Sequence, residues 1–326
     1  MSVIEGYQIQ GIMAKGGMAT IYIAMQKSLK RQIALKILDP NLDATLLEHF
    51  LDESRIIASL KHPNIIPVYD VGRVGIHFYH SMEYLEGGDL ESRIAKGIDT
   101  RTTLEIILEL ADALHLVHSK GIIHGDIKPA NVVFRSDECP VLIDFGISKR
   151  TKVSHNKEKQ TKLILASPSY ASPEIMQGLE FDQKVDIYSL GIMLYEMLTG
   201  KKPYTGKTQT EIVANSIQQS IPLLPDNLKA MQPLLDRMLA KDPLERIGDA
   251  QMISRYIKNY LRDQPNQIKI YDINNDENGS VNNDQVVVEY VSDKKDVSIS
   301  DSRTLLPILI VLLSADVAFA IWYFIL

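Results

Sequence analysis

Two contrasting patterns of apolar and polar residues divide most of the chain. Residues 7–38 alternate between apolar and polar side chains, with glycines between the runs, and this period of two predicts a small antiparallel sheet. Residues 43–60 carry apolar side chains at helical spacing and end at the sequence HPN, so we expect one helix to pack on that sheet. From Leu104 onward helical patterns dominate, which indicates a second, mostly α-helical region up to residue 262.

The remaining residues differ from this folded part. Residues 263–303 are rich in Asn and Asp and contain nine acidic and four basic residues, so we expect an acidic, flexible linker. Residues 304–326 hold an apolar run of about 22 positions, LLPILIVLLSADVAFAIWYFIL, which as a helix would be roughly 33 Å long. Because a bilayer hydrocarbon core is ~30 Å thick, this run predicts one transmembrane helix.

The charges around the apolar run predict its orientation. Lys294, Lys295 and Arg303 precede it and no basic residue follows, which places the N-terminal bulk of a single-pass protein in the cytoplasm, at the cytoplasmic (inner) membrane. Asp316 interrupts the run, either as a protonated carboxyl group or facing a partner helix, where it would favour self-association. The alternative for the whole segment is a helical hairpin buried on a soluble domain.

Composition limits the classes of function. The chain has 326 residues, of which 45% are apolar and 23% charged, so most of it should fold. The formal net charge of -6 argues against nucleic acid as a partner, because phosphate binding needs an excess of Lys and Arg. The single cysteine, Cys139, excludes an internal disulfide, and we expect it to be a small buried residue beside a strand.

The strongest chemical signal lies in the segments IIHGDIKPANVVF and LIDFGISK. They carry Asp126, Lys128, Asn131 and Asp144 in a strand-loop-strand setting, at a spacing that can bring these four side chains together. Phosphoryl transfer needs metal-held phosphates, an oriented hydroxyl group and charge stabilisation. Two carboxylates, an amide and an ammonium group supply these needs.

On these motifs the chain resembles the eukaryotic-like (Hanks-type) serine/threonine protein kinases of bacteria, over about residues 7–262. The resemblance implies an α+β bilobal kinase fold, with a small, mostly β N-lobe (1–85) and a larger, mostly α C-lobe (86–262), followed by the linker and the transmembrane helix. It implies ATP and Mg²⁺ or Mn²⁺ as cofactors. Proteins bearing Ser or Thr would be the substrates, and the enzyme would also phosphorylate itself.

The resemblance assigns catalytic roles to the four residues of these motifs. Asp126 would accept or orient the proton of the substrate hydroxyl, and Lys128 would face the transferred phosphoryl group. Asn131 and Asp144 would hold the metal ion.

Nucleotide binding is assigned in the same way. Lys36 would grip the α- and β-phosphates and Glu53 would pair with it. In the sequence MEYLEGGDL, Met82 would be the gatekeeper, Glu83 and Leu85 would offer backbone groups to adenine, and Asp89 would lie near the ribose. The other implied nucleotide-binding positions are Ala14, Gly16, Gly17, Ala19, Ile21 and Ala34.

Five further positions receive supporting roles from the resemblance. The segment ASPSYASPE resembles a substrate-binding loop, with Ser167 where the family usually has Thr. Glu174 is expected to pair with Arg246, and Asp186 to brace the catalytic loop through backbone hydrogen bonds. His124 is expected to be structural and not a catalytic base.

The phosphate-covering loop departs from the family pattern G-x-G-x-x-G. The sequence AKGGMA has Ala14 and Ala19 where the pattern has glycine, and only Gly16 is kept. Because glycine permits close approach of the backbone to a ligand, we expect a stiffer loop or weaker nucleotide binding, partly offset by Gly17.

A second departure is Gly125, where regulated kinases have the arginine that receives an activation-loop phosphate. We therefore expect activity without phosphorylation of that loop, although it offers Thr151, Ser154 and Thr161. Residues 149–162 of the loop hold six bases and one acid. They are either a solvated stretch or a basic segment that compensates added phosphate or attracts an acidic protein substrate.

Two rival functions are set against the kinase. The sequence His124-Gly125-Asp126 also resembles aminoglycoside and choline phosphotransferases, which generally lack the equivalents of Lys128 and of the ASPSYASPE segment. A pseudokinase scaffold is favoured by the altered glycine loop and by Gly125. Against it, the chain keeps all five catalytic-type residues, namely Lys36, Glu53, Asp126, Asn131 and Asp144.

Overall fold

The computed structural model describes residues 4–145 and 167–263. Its N-terminal part is an antiparallel five-stranded sheet. The strands are β1 (Tyr7–Lys15), β2 (Ala19–Gln26), β3 (Arg31–Leu38), β4 (Val68–Val74) and β5 (His77–Glu83). Their spatial order in the sheet is β1-β2-β3-β5-β4. One helix, α1 (Ala44–Ala58), packs against β4 and β5, as the sequence pattern predicts.

The alternating pattern of residues 7–38 accounts for the first three strands only. β5 is buried at five consecutive positions of seven, because α1 covers one face of the sheet and other apolar residues cover the other. A strand that is covered on both faces shows no alternation of apolar and polar residues. Ile33 and Leu35 of the central strand β3 are likewise fully buried, in one cluster with Tyr7 and Tyr79.

The second part is helical and is built around two long helices. α3 (Thr100–Ser119) and α5 (Lys184–Thr199) pack together, and α8 (Ala250–Asp263) covers the other side of α3. Asp99 caps the start of α3 by accepting from the Thr102 amide at 3.0 Å. The other elements of this lobe are α2 (Leu90–Lys96), β6 (Val132–Phe134), β7 (Pro140–Leu142), α4 (Pro173–Met176), α6 (Gln209–Gln218) and α7 (Gln232–Met238).

One apolar cluster connects the two lobes. It contains Ala34 and Met82 from the sheet, Leu85 from the connecting segment, and Ile107 and Leu142 from the helical lobe. The bilobal fold implied by the family resemblance is thus present in the described residues.

The predicted ion pair between Glu174 and Arg246 is confirmed. Arg246 Nη1 donates to Glu174 Oε1 at 2.6 Å and its Nη2 donates to Oε2 at 3.2 Å, a bidentate arrangement with both side chains buried. Arg246 also donates to the carbonyl oxygens of Ala240 and Lys184. The pair therefore holds α4, which ends the ASPSYASPE segment, to the start of α5 and the loop after α7.

The expectations for Cys139 and for the residues after α8 have other outcomes. Cys139 is only half-buried, because it lies in the surface turn before β7 and not under the strand, so the expectation of a buried residue is wrong. The predicted linker after α8 and the transmembrane helix at 304–326 lie outside the described residues. Among the helices of residues 4–145 and 167–263, none is long and apolar enough to cross a membrane.

We expect Arg246→Ala to lower the free energy of unfolding by about 3–5 kcal/mol, because it leaves the buried Glu174 carboxylate without its partner. The control is Lys258→Ala, which breaks the exposed pair with Asp112 and should cost less than about 1 kcal/mol. Urea unfolding followed by circular dichroism measures both. Equal losses for the two variants would contradict this assignment.

Candidate active site

A buried carboxylate fixes the loop between α3 and β6. Asp186, at the start of α5, accepts from the backbone amides of His124 and Gly125 and from His118 Nε2, each at 2.8 Å. Burial acts to raise the pKa of Asp186, but these donors outweigh it, and the pKa lies below its ordinary value. The predicted brace is confirmed, with His118 as a donor that the sequence did not indicate.

Two residues of this loop have conformations that explain their identity. Gly125 has a φ of 78°, in the left-handed region where glycine carries no steric penalty. His124 is fully buried, packs on the Phe145 ring at 4.4 Å between centroids, and contacts the Ile143 carbonyl oxygen. Burial lowers the pKa of His124, so the imidazole is neutral and structural, as expected.

Asp126 lies at the centre of a hydrogen-bonded group. Its Oδ2 accepts from Lys128 Nζ at 2.6 Å and from Asn131 Nδ2 at 2.9 Å. Lys128 Nζ also donates to Ser167 Oγ at 3.1 Å, which connects this loop to the ASPSYASPE segment. Within the described residues no hydrogen bond reaches Asp126 Oδ1, so this oxygen can accept the proton of an incoming hydroxyl group.

Asp144 and Lys36 join the two lobes at the same place. Lys36 Nζ, from β3, donates to Asp144 Oδ1 at 2.6 Å. Burial acts to raise the pKa of Asp144, but the Lys36 ammonium outweighs it, so the carboxylate stays ionised. Asp144 has a φ of 51°, an uncommon conformation for a residue with a side chain, which is typical of strained functional positions.

The donor set fits a hard divalent cation. Asn131 Nδ2 is held by the backbone oxygen and Oδ2 of Asp126, so the amide orientation is fixed and Oδ1 remains as an oxygen ligand. The Ile143 amide donates to the Asn131 carbonyl at 2.9 Å, which places Asp144 close by. The described residues contain no group of three or more His, Cys, Asp or Glu that could hold a metal. Mg²⁺ is commonly held by one or two protein oxygens together with substrate phosphates.

A cluster of apolar side chains lies beside these charges. Ala34 and Met82 are register partners in β3 and β5, and with Leu85 they belong to the cluster that joins the lobes. Ile21 packs against the same cluster from β2. Val133 and Ile143 of the helical lobe also pack against this cluster, a role that the sequence did not indicate. Both lie inside the recognised motifs, and the half-buried Val133 alternates with the buried Val132 and Phe134 in β6.

Residues 7–261 match the family model of the protein kinase domain. The chain belongs to the protein kinase family. It is 34% identical over 262 residues to the serine/threonine-protein kinase PknJ of Mycobacterium tuberculosis, covering 76% of this chain and 44% of PknJ. It is 34% identical over 260 residues to the serine/threonine-protein kinase PrkC of Bacillus subtilis, covering 77% of this chain and 40% of PrkC. The resemblance to bacterial serine/threonine kinases is therefore confirmed, and the chain spans less than half the length of these relatives.

The side chain of Glu83 holds the kinase hinge, whereas the sequence predicted a role only for its backbone groups. The Glu83 carboxylate accepts hydrogen bonds from Arg135 Nε and Nη2, each at 2.8 Å. The Glu83 backbone amide donates to the Pro67 carbonyl oxygen at 3.1 Å. Of the Glu83 backbone groups predicted to face adenine, the N–H is thus already used. Asp89 caps α2 by accepting from the Ser92 amide at 2.7 Å, and its contact with a ribose stays a prediction.

The altered glycine loop of the kinase is the turn of the β1–β2 hairpin. Ala14 pairs with Ile21 next to a register shift in β1, Ala19 pairs with Leu38 of β3, and neither alanine has a positive φ. The Gly16 amide closes the turn by donating to the Ala19 carbonyl at 2.9 Å. An added Cβ at Gly17 would meet no atom within 4 Å. The two alanines therefore occupy backbone conformations that do not require glycine, and their effect on nucleotide binding stays a prediction.

Several residues with predicted roles lie outside the described part of the chain. Glu53 belongs to α1, but its side chain is not described, so its pairing with Lys36 stays a prediction. Thr151, Ser154 and Thr161, with the basic stretch 149–162, also lie outside.

His80 is a buried imidazole next to the Lys36–Asp144 pair. It is the register partner of Lys36 across β3 and β5, and its Nδ1 lies 2.8 Å from Ser54 Oγ of α1. Burial is the main cause that lowers the pKa of His80 to about 3, and the Lys36 ammonium adds to it. The Asp144 carboxylate acts in the opposite direction. The ring is therefore neutral at physiological pH.

We expect His80→Asn to flatten the dependence of stability on pH. His80 titrates near 6.5 when unfolded and about 3 when folded, so the unfolded state binds more protons and stability is lost as pH falls below about 6.5. Between pH 7 and 5 this residue should account for about 2 kcal/mol of lost unfolding free energy. Denaturant unfolding at pH 5, 6 and 7 measures the slope for wild type and variant. Equal slopes would show that His80 is not the titrating group.

Proposed function

We propose that the chain is a protein serine/threonine kinase that transfers the γ-phosphate of ATP to Ser and Thr hydroxyls of proteins, including its own. The observation that carries the proposal is the contact of Lys128 with both Asp126 and Ser167. Lys128, the candidate phosphoryl-binding cation, thus lies within hydrogen-bond distance of both the candidate base and the segment expected to bind peptides. The Ser/Thr kinases matched above support the same activity.

Each residue then has a physical task. Asp126 orients the substrate hydroxyl through Oδ1 and takes its proton as the bond to phosphorus forms. Lys128 neutralises charge on the transferred group, while Lys36 holds the nucleotide phosphates from the side of the N-lobe. Asn131 and Asp144 would hold Mg²⁺ or Mn²⁺, which when bound supplies charge neutralisation for the phosphate oxygens.

The same contacts oppose the rival functions. The Lys128–Ser167 hydrogen bond joins the catalytic loop to a segment expected to bind peptides, which a small-molecule phosphotransferase does not need. The ionised Asp144 and the fixed Asn131 amide preserve a metal-binding pair that a scaffold would have no reason to keep. The glycine hairpin, which favoured the scaffold, keeps both alanines in strand pairing and Gly16 and Gly17 in its turn.

We also propose that residues 304–326 anchor the kinase to the cytoplasmic membrane as a single-pass helix, with the catalytic part in the cytoplasm. The proposal rests on the length of the apolar run and on Lys294, Lys295 and Arg303 before it. The acidic linker would be repelled by an anionic leaflet and so hold the catalytic part away from it. Asp316 would favour self-association, which raises the local kinase concentration for autophosphorylation.

Asp126→Asn should lower autophosphorylation by labelled ATP and Mg²⁺ by roughly 10²–10⁴-fold, because the amide cannot accept the hydroxyl proton. The matched control is Asp112→Asn on α3, which changes an exposed carboxylate and should leave activity unchanged. Equal activity of Asp126→Asn and wild type would remove Asp126 from the mechanism. Phosphorylation of an aminoglycoside or choline, but of no protein, would favour the small-molecule rival.

The membrane proposal predicts that the full chain sediments with membranes and resists extraction by carbonate, whereas a chain ending at Arg303 is released. The two chains differ only in the apolar run, so the linker and the kinase domain act as the internal control. Fractionation without detergent, followed by immunoblotting, measures the distribution. A full chain recovered in the soluble fraction would exclude the anchor.

A further inference from the structure

We propose that His80 is a positioning residue for phosphoryl transfer, which seats α1 on the sheet and so sets the distance of position 53 from Lys36. His80 lies outside every motif recognised in the sequence. The inference rests on the proposed kinase function, because only that function makes the placement of position 53 relevant to activity. It starts from two contacts between His80 and successive turns of α1.

The first contact is the hydrogen bond between His80 Nδ1 and Ser54 Oγ at 2.8 Å. Ser54 is 1% exposed and His80 is 6% exposed, so water does not compete for either group. Breaking the bond would leave a buried polar atom unsatisfied, which favours keeping the two groups together. Since Ser54 directly follows Glu53, the bond fixes the backbone at the residue that the family resemblance pairs with Lys36.

The second contact is a stacked ring. Phe50 lies on the His80 imidazole with 4.9 Å between ring centroids and 24° between ring planes. Phe50 and Ser54 are four residues apart, so they lie on one face of α1 in adjacent turns. A single contact would let the helix pivot. Two contacts one turn apart fix both its rotation and its position along the sheet.

On the sheet, His80 lies directly opposite Lys36. Lys36 and His80 are register partners in β3 and β5, so their side chains project from the same face of the sheet. Lys36 in turn donates to Asp144 at 2.6 Å. His80 therefore joins α1 to the strand position opposite Lys36, and because its imidazole is neutral it places no second charge beside the ammonium group.

Packing alone does not account for a histidine here. His80 Nε2 is buried and has no hydrogen-bond partner among the described residues, a cost to stability that an aliphatic side chain would avoid. The neighbouring contacts of α1 with the sheet are apolar, through Leu47 against Leu38 and Phe78. The hydrogen bond to Ser54 supplies directional placement, which apolar packing does not.

The test uses the full chain and four variants. His80→Phe keeps a ring for Phe50 but loses the hydrogen bond, whereas His80→Asn keeps a polar group that can bond Ser54 near the Nδ1 position but loses the ring. Ser54→Ala removes the bond from the α1 side, and the fourth variant combines it with His80→Phe. The matched control is Ser59→Ala, an exposed serine just after α1 whose hydroxyl donates only to the Ile56 carbonyl.

We expect Ser54→Ala and His80→Phe each to lower kcat about tenfold, the scale of coupling between contacting residues, with a smaller change in KM for ATP. The double variant should be no slower than the slower single variant, because one hydrogen bond is lost in each case. His80→Asn should restore most of kcat relative to His80→Phe, and Ser59→Ala should match wild type. Transfer to a generic basic protein is measured, with kcat normalised to the folded fraction from circular dichroism.

The outcomes separate the two proposals. An active wild type with unchanged kcat in Ser54→Ala and His80→Phe overturns the role of His80 and leaves the kinase function standing. Losses that multiply in the double variant, or a failure of His80→Asn to exceed His80→Phe, also overturn it. If His80→Phe does not fold, Ser54→Ala and His80→Asn decide. A wild type that transfers no phosphate to any protein removes the kinase function, and the role of His80 with it.

Discussion

The geometry of the active site depends on the buried carboxylate of Asp186. A charge in a protein interior destabilises the fold unless donors surround it. Here two successive backbone amides and an imidazole meet that need, each at 2.8 Å. The charge therefore fixes the backbone of the loop just before Asp126. Because the loop is held by its own amides, it requires a backbone conformation more than a particular side chain, and this explains how Gly125 can occupy the position before Asp126.

The second constraint acts between the lobes. Lys36 belongs to the sheet and Asp144 follows β7, so their ion pair brings a strand of one lobe to the catalytic segment of the other. The apolar cluster around Ala34, Met82 and Leu85 lies beside this pair. Apolar contact sets how closely the lobes approach, and the ion pair sets where the charges end up. The left-handed backbone of Asp144 is then maintained by the contact that its carboxylate makes.

Sequence reasoning succeeded where a function depends on residue type and spacing. Asp126, Lys128 and Asn131 lie within six positions of each other, so local geometry alone brings them together. The pair Glu174–Arg246 was foreseen only through the family resemblance, since 72 residues separate its partners. The contact of Arg135 with Glu83 and the packing of Val133 and Ile143 on the interlobe cluster were missed, because both come from tertiary proximity that no local pattern encodes. Cys139 was misplaced because the edge of a short strand cannot be located to one residue.

The departures from the family pattern follow one physical rule. Ala14 and Ala19 occupy strand positions whose conformation alanine adopts freely, and the turn between them keeps Gly16 and Gly17. Gly125 replaces a larger side chain at a left-handed position, where glycine lowers the strain. Each of these residues thus fits the backbone conformation that it adopts, and the departure concerns the side chain. In the proposed mechanism the catalytic side chains admit no such exchange, because their atoms are the ones that would contact the reacting groups. A kinase can therefore lose glycines from its loop and an arginine from its catalytic segment while Asp126, Lys128, Asn131 and Asp144 remain in place.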